Sequence, residues 1–338
     1  MLLARAITMT LLVDRFGRRV DYLRISVTDR CNLRCIYCVP PEKVVWRHRD
    51  EILSFEEIAS VVQAAAQLGV RRIRLTGGEP LLRRDLPELV REIATIPGIE
   101  EVSLTTNASL LKHLAEPLAR SGLSRVNISL DTLRPDRYAR LTRGGAIESV
   151  WRGIAAAERA ALLPIKLNVV AVKGLNDDEL LDLARLSLER PWHVRFIELM
   201  PVGDLGGWDP GLPERGQGYL PVEAMLERLS DLRLEPTNEK SGRGPARVYH
   251  VAGALGTIGF ISPISENFCS ACNRLRLTCD GRLRPCLLAE REVDVREPIR
   301  RGESLGPYLQ LAANLKPRVH DLAAGRQPGS RWMSQIGG

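Results

Sequence analysis

The sequence predicts an α/β chain built on a parallel sheet, with a smaller α+β module behind it. Three observations carry this. Short apolar runs alternate with helical patterns from Tyr22 to about Met200, polar residues gather where the strand runs end, and a Gly- and Pro-rich stretch at 201–218 interrupts the pattern.

The strand runs are 22–27 (YLRISV), 71–76, 101–106, 125–130, 165–171 and 193–199. Helical patterns fall between them at 54–68 and near 87–95, 109–120, 147–161 and 177–188. Ser54 and Glu57 form a capping box at the start of the first helix, and Gly69 ends it. Six β-α units imply right-handed crossovers, but the count suits a partial barrel and an open sheet equally well. Further on, a helix is expected near 221–230, β runs at 246–251 and 255–261, and a partly helical tail. The units expected are an N-terminal extension at 1–20, a main body at 21–205, a module at 206–290 and a C-terminal region at 291–338.

Each strand run leads into polar residues. The first leads to a cysteine loop, the second to Thr76-Gly77-Gly78-Glu79-Pro80, the third to Thr105-Thr106-Asn107 and the fourth to Ser129-Leu130-Asp131. The fifth carries Lys166 and Asn168, and the sixth Arg195, Glu198 and Met200. Any one of these is an ordinary turn or cap. Together they mark the strand ends where β/α folds build their sites.

Composition narrows the classes. With 338 residues, 44% of them hydrophobic, the chain can bury one barrel-sized core or two smaller ones. It holds no apolar span of about 20 residues, so no membrane helix is expected. The N-terminus lacks a signal-like apolar region, and the expected compartment is the cytoplasm. The net charge of +7, carried largely by Arg, fits either solvated helix faces or a pocket for an anionic ligand. Aromatics are few and no basic run is interleaved with them, which argues against nucleic acid.

The cysteines fall into two groups. Cys31, Cys35 and Cys38 form C-x3-C-x2-C; Cys269, Cys272 and Cys286 form C-x2-C-x13-C, with Cys279 inside the frame. Structural zinc wants four closed ligands, so three-thiol groups fit it poorly, although Cys279 keeps a zinc reading open for the second group. A four-iron cluster held by three thiolates leaves one iron open to a small molecule. Arg274 and Arg276 sit two apart, so a strand there turns both guanidiniums to one face, beside the second group.

These residues resemble the radical S-adenosylmethionine (SAM) enzymes, in C-x3-C-x2-C with Tyr37 before the last cysteine and in the later TGGEP. The run FCSACNRLRLTCDGRLRPCL, with SLD, RFIELM and the terminal Gly-Gly, is similar to the GTP 3',8-cyclase family of molybdenum cofactor biosynthesis, across almost the whole chain from Leu11 to Gly338. The resemblance implies a partial (β/α)6 TIM-type barrel closed by the C-terminal module. It implies two [4Fe-4S] clusters, the first on Cys31, Cys35 and Cys38 and the second on Cys269, Cys272 and Cys286. SAM would bind at Tyr37, Gly77, Gly78, Glu79, Ser129 and Met200. GTP would bind at Arg24, Arg74, Thr105, Lys166, Arg195, Arg274 and Arg276. Arg274, Arg276, Gly337 and Gly338 would serve catalysis.

The implied reaction starts with reductive cleavage of SAM to a 5'-deoxyadenosyl radical, which takes hydrogen from C3' of the ribose. Attack on C8 of guanine and reduction then give the cyclised dihydro-GTP. Implied partners are a flavodoxin- or ferredoxin-type electron donor and the enzyme that makes cyclic pyranopterin monophosphate. The chain would be a monomer or homodimer. Asn107-Ala108 stands where the family leads one to expect Asn-Gly. A peptide-modifying maturase with an auxiliary cluster is the rival within the same chemistry. It usually carries more C-terminal cysteines.

Overall fold

The computed structural model describes residues 11–39, 44–203, 216–237, 244–320, 322, 326 and 328–337. Most of the Gly- and Pro-rich stretch, and Gly338, lie outside them.

The six expected strands form as β1 (Tyr22–Ser26), β2 (Arg72–Thr76), β3 (Glu101–Thr106), β4 (Arg125–Ser129), β5 (Lys166–Ala171) and β6 (His193–Glu198). They pair in parallel in that order. The helices between them are α1 (Phe55–Gln67), α2 (Leu86–Ala94), α3 (Leu111–Arg120), α4 (Pro135–Thr142), α5 (Ile147–Arg159) and α6 (Leu180–Glu189). The α1 capping box is present: Ser54 accepts from the Glu57 amide at 3.2 Å, and the Ser54 amide donates to Glu57 at 2.7 Å. α4 was not anticipated, because its eight residues follow directly on a strand-end turn and carry only a short apolar face.

Strands after residue 230 join the same sheet. They are β7 (Glu235–Thr237), β8 (Arg247–His250), β9 (Thr257–Ile261), β10 (Arg274–Leu277), β11 (Arg282–Arg284) and β12 (Val293–Asp294). Among the described residues the order is β12-β11-β10-β1-β2-β3-β4-β5-β6-β9-β8-β7. β10 lies parallel on the outer edge of β1, and β9 lies parallel on β6. α7 (Val222–Arg228), α8 (Arg296–Arg300), α9 (Gly306–Asn314) and α10 (Met333–Ile336) complete the chain.

The strands alternate. Leu23, Ile25, Ile73, Leu75, Leu104, Val126, Ile128, Leu167, Val194 and Phe196 are buried in the main core with the helices. The intervening positions, on the opposite face by the two-residue period, are polar or charged except Val170 and Ile197 near the ends of β5 and β6. Register places Arg24 beside both Arg74 and Arg276, Asn127 beside Lys166, and Asn168 beside Arg195. An inward face built of cations and amides cannot pack as an apolar core. It lines a cavity instead.

Candidate active site

That cavity, of about 190 Å³, is walled by Arg24, Arg74, Thr105, Lys166, Arg195, Arg274 and Arg276, all seven of the residues expected to bind GTP, and by Met200. Cys269, Cys272 and Cys286 share the same wall. Tyr22, Arg125, Asn127, Asn168 and His320 line it too. Of these only Asn168 was singled out from the sequence; Tyr22, Arg125, Asn127 and His320 were missed, although YLRIS and RVNIS show the same alternation as the other strands.

The cations crowd one another. Burial first, then Arg74 and Arg125, bring Arg195 down to about 9; burial and then Arg274 bring Arg276 down to about 10. Lys166 falls to about 6, through burial and then Arg195, Arg125 and Arg74. Nε and Nη2 of Arg195 are buried without a hydrogen-bond partner, and so is Oδ1 of Asn168. The unpaired guanidinium donors of Arg195, among so many cations, suit a polyanion, while the Asn168 oxygen is left to accept from a ligand donor.

The second thiols converge beside these cations. Cys269 lies within electrostatic reach of Cys272 and Cys286. Burial raises Cys272, but Arg274 and Lys316 outweigh it and bring the thiol down to about 6. Cys279 is elsewhere, 2% exposed, with Ser26, Asp29, Asp280 and Arg331 as neighbours. All seven cysteines are free thiols.

The first triplet sits on the loop after β1. Burial and the neighbouring thiols raise Cys35, burial raises Cys38 to about 12 with Cys31 adding to it, and burial raises Cys31 to about 11. α4 braces this loop. Thr142 and Leu141 carbonyls accept from the Arg34 and Ile36 amides at 3.0 Å each, and Arg143 donates to the Arg34 carbonyl at 3.0 Å and the Val39 carbonyl at 3.1 Å. Tyr37 donates to Asp131 at 2.5 Å, and Asp131 accepts from the Val170 amide at 2.8 Å.

The Gly77-Gly78-Glu79 turn packs on the start of the same loop. A Cβ on Gly78 would stand 2.2 Å from the Arg30 carbonyl oxygen, and one on Gly77 2.6 Å from that of Thr28. The Gly78 and Glu79 amides donate to the Thr28 and Arg30 carbonyls at 2.8 Å each. Glu79 is 1% exposed, and its carboxylate accepts from the Thr106 hydroxyl at 2.7 Å, the Asn107 amide at 2.8 Å and the Leu81 amide at 3.1 Å. Its side chain ties the β2 turn to the β3 turn. Ser129, at the end of β4, is half-buried.

The tail enters the sheet. The Arg276 Nη1 donates to the Gly337 carbonyl at 2.7 Å, and a Cβ on Gly337 would stand 2.5 Å from Thr76 Cγ2. Gly337 has φ +67, a conformation that glycine adopts freely.

Each triplet offers three soft donors, converging and unoxidised, which fits a cluster with one open iron. The comparisons agree with this chemistry. Residues 25–187 match the radical SAM superfamily, and residues 192–322 match the Molybdenum Cofactor Synthesis C family. The chain is 52% identical over 330 residues to the GTP 3',8-cyclase of Moorella thermoacetica, covering 96% of this chain and 99% of that one. It is 49% identical, with the same coverage, to the GTP 3',8-cyclase of Pelotomaculum thermopropionicum, and 45% identical over 340 residues to that of Listeria monocytogenes, covering 98% and 100%. Among solved structures, Streptococcus suis SuiB bound to precursor peptide SuiA superposes with a TM-score of 0.56 at 18% identity, over 79% of this chain and 59% of that one. The AdoMet-bound anSMEcpe superposes with a TM-score of 0.54 at 15% identity, over 94% and 84%. At these identities the two structures speak for the fold alone. With three near-full-length relatives at this identity and both cysteine frames in place, the chain belongs to the GTP 3',8-cyclase family of the radical SAM superfamily.

Proposed function

We propose that this chain converts GTP to (8S)-3',8-cyclo-7,8-dihydroguanosine 5'-triphosphate in molybdenum cofactor biosynthesis. The observation that carries this reading is the single cavity wall shared by the cationic strand faces and the second thiol triplet. Arg24, Arg74, Lys166 and Arg195 hold the triphosphate. Thr105, which accepts from Arg74 Nη1 at 3.4 Å, orients that guanidinium.

In this reading Cys31, Cys35 and Cys38 hold the first [4Fe-4S] cluster. SAM lies at Tyr37, the Gly77-Gly78-Glu79 turn, Ser129 and Met200. When bound, these groups supply the one-electron chemistry that opens the reaction. Cys269, Cys272 and Cys286 would hold a second [4Fe-4S] cluster, which when bound would offer an open iron to the guanine. The protein's own contribution is orientation of the ribose and exclusion of water. Gly337 brings backbone without a side chain up to Arg276, which holds its carbonyl, and the terminal Gly337-Gly338 pair serves catalysis. Electrons come from a reduced flavodoxin- or ferredoxin-type donor, and the product goes to the enzyme that forms cyclic pyranopterin monophosphate. The compartment is the cytoplasm, and the assembly a monomer or homodimer. Among the described residues no helix is long and apolar enough to cross a membrane.

The test uses anaerobically reconstituted protein with SAM, a strong reductant and GTP deuterated at C3'. Deuterium is expected in the 5'-deoxyadenosine, read by mass spectrometry. SAM cleavage without deuterium transfer would reject this substrate or this hydrogen.

A further inference from the structure

Lys316 follows α9 and is 1% exposed. Its ammonium donates to the Arg274 carbonyl at 2.7 Å and the Pro285 carbonyl at 3.0 Å, and it reaches Cys272 Sγ at 3.4 Å. Three donors meet three acceptors. One acceptor is Cys272 itself, one lies two residues beyond it, and one immediately precedes Cys286. Among the described residues no carboxylate forms an ion pair with Lys316.

A buried ammonium requires a counter-charge close by. The Cys272 sulfur is the one anionic candidate in hydrogen-bond contact. The segment after Lys316 is fixed over the same triplet. The His320 amide hydrogen-bonds Cys269, and Arg18 Nη1 donates to the Cys269 carbonyl at 2.6 Å while its Nη2 donates to the Pro317 carbonyl at 2.8 Å. Residues 316–320 therefore touch two of the three thiols, Cys272 through Lys316 and Cys269 through the His320 amide.

We propose that Lys316 is a positioning residue for the second cluster, clasping the two halves of its cysteine frame and holding its reduction potential up by a charged hydrogen bond to the Cys272 sulfur. This rests on the two-cluster reading above. Hydrogen bonds to the sulfurs and the net charge around a cluster set its potential, and a nearby cation stabilises the more negative, reduced state. An electron entering the protein has two clusters to choose between. A buried ammonium at one of them biases that choice.

The test isolates the second cluster in the full-length chain by replacing Cys31, Cys35 and Cys38 with Ala. Lys316→Met, which removes the charge, and Lys316→Arg, which keeps it, are then compared by iron analysis and EPR-monitored redox titration. The parent protein must carry about eight irons and the triple-Ala chain about four. A parent with about four irons would sink the two-cluster reading, and this proposal with it. Given two clusters, Lys316→Met is expected to titrate at a clearly more negative potential, with Lys316→Arg closer to the parent. Loss of second-cluster iron in the Met variant but not in the Arg variant supports the clasp by charge. Full iron with an unmoved potential in Lys316→Met, or equal iron loss in both variants, overturns the proposal.

Discussion

Lys166 is 2% exposed among cations, and its surroundings decide its charge. Burial, then Arg195, Arg125 and Arg74, bring it from 10.5 to about 6, so near neutral pH it is largely unprotonated before substrate arrives. A triphosphate placed against it reverses the balance and restores the proton. GTP binding to SAM-free, unreduced protein at pH 7.5 should therefore take up a proton. Isothermal titration in buffers of different ionisation enthalpy measures this. Lys166→Met should abolish the uptake and weaken binding roughly tenfold or more, the scale of a charged hydrogen bond. Buffer-independent heats for the parent would contradict it. The same shift acts on stability. Between pH 6 and 10.5 the unfolded chain holds a proton that the folded chain lacks, so this lysine makes the ligand-free protein more stable as pH rises through that window. Residue identity was legible here because period-two alternation exposes inward positions. Two details were not. Glu79 uses its carboxylate as an internal tie, and Ala108 adopts φ 61 where a glycine would fit without strain, both of which depend on how separate turns meet.

At the scale of elements, the tail is a latch built from three parts. Arg331 pairs with Asp280 through hydrogen bonds of 3.0 and 2.9 Å and with Glu292 at 2.9 Å, all three residues largely buried. Ile336, 1% exposed, packs with Val202, Leu287 and Leu288, close to Cys286. Gly337 then fits between Ser26 and Thr76 at the ends of β1 and β2. Gly337→Ala puts a methyl group into Thr76 and a non-glycine residue at φ +67, a combined cost of about 1–3 kcal/mol concentrated at one end of the chain. The latch upstream survives such a change. Gly337→Ala, and deletion of both terminal glycines, should therefore leave iron content and GTP affinity near the parent values while turnover falls at least about tenfold, one factor of ten for each 1.4 kcal/mol. Product formation at the parent rate in the deletion would refute a role for the tail. The sequence showed that the chain ends in two glycines. It could not show the latch, whose Arg331, Asp280 and Glu292 come from separate segments. Nor could it show α4, whose role is to brace the first cysteine loop.

For the molecule as a whole, the decisive feature is where the late strands go. β10 and β9 cover the two edges that six parallel strands would otherwise leave open, satisfying the outer backbone groups of β1 and β6. They also supply cavity wall: Arg274 and Arg276 stand in register with Tyr22 and Arg24, and Gly259 lies beside Arg195 with just enough room for that side chain. Glu198 strengthens the junction at the end of β6. Its carboxylate accepts from the Ile264 amide at 2.9 Å, the Ser265 amide at 3.1 Å, the Val222 amide at 3.2 Å and the Tyr219 hydroxyl at 3.1 Å. Local pattern gave each of the first six strands to within about a residue, but pairing between β1 and a strand 250 residues later has no local signature, so the break at 201–218 reads as a boundary while the hydrogen bonds run across it. Unfolding should then be one event. Scanning calorimetry of the intact chain should show a single transition, and β1 and β10 amides should exchange hydrogen with the same protection. A chain ending at Gly203 should aggregate or melt far below the intact protein, because it exposes the outer edges of both β1 and β6. Two resolved transitions, with β1 still protected after the first, would mean that the six parallel strands hold together alone and that the late strands serve only the cavity.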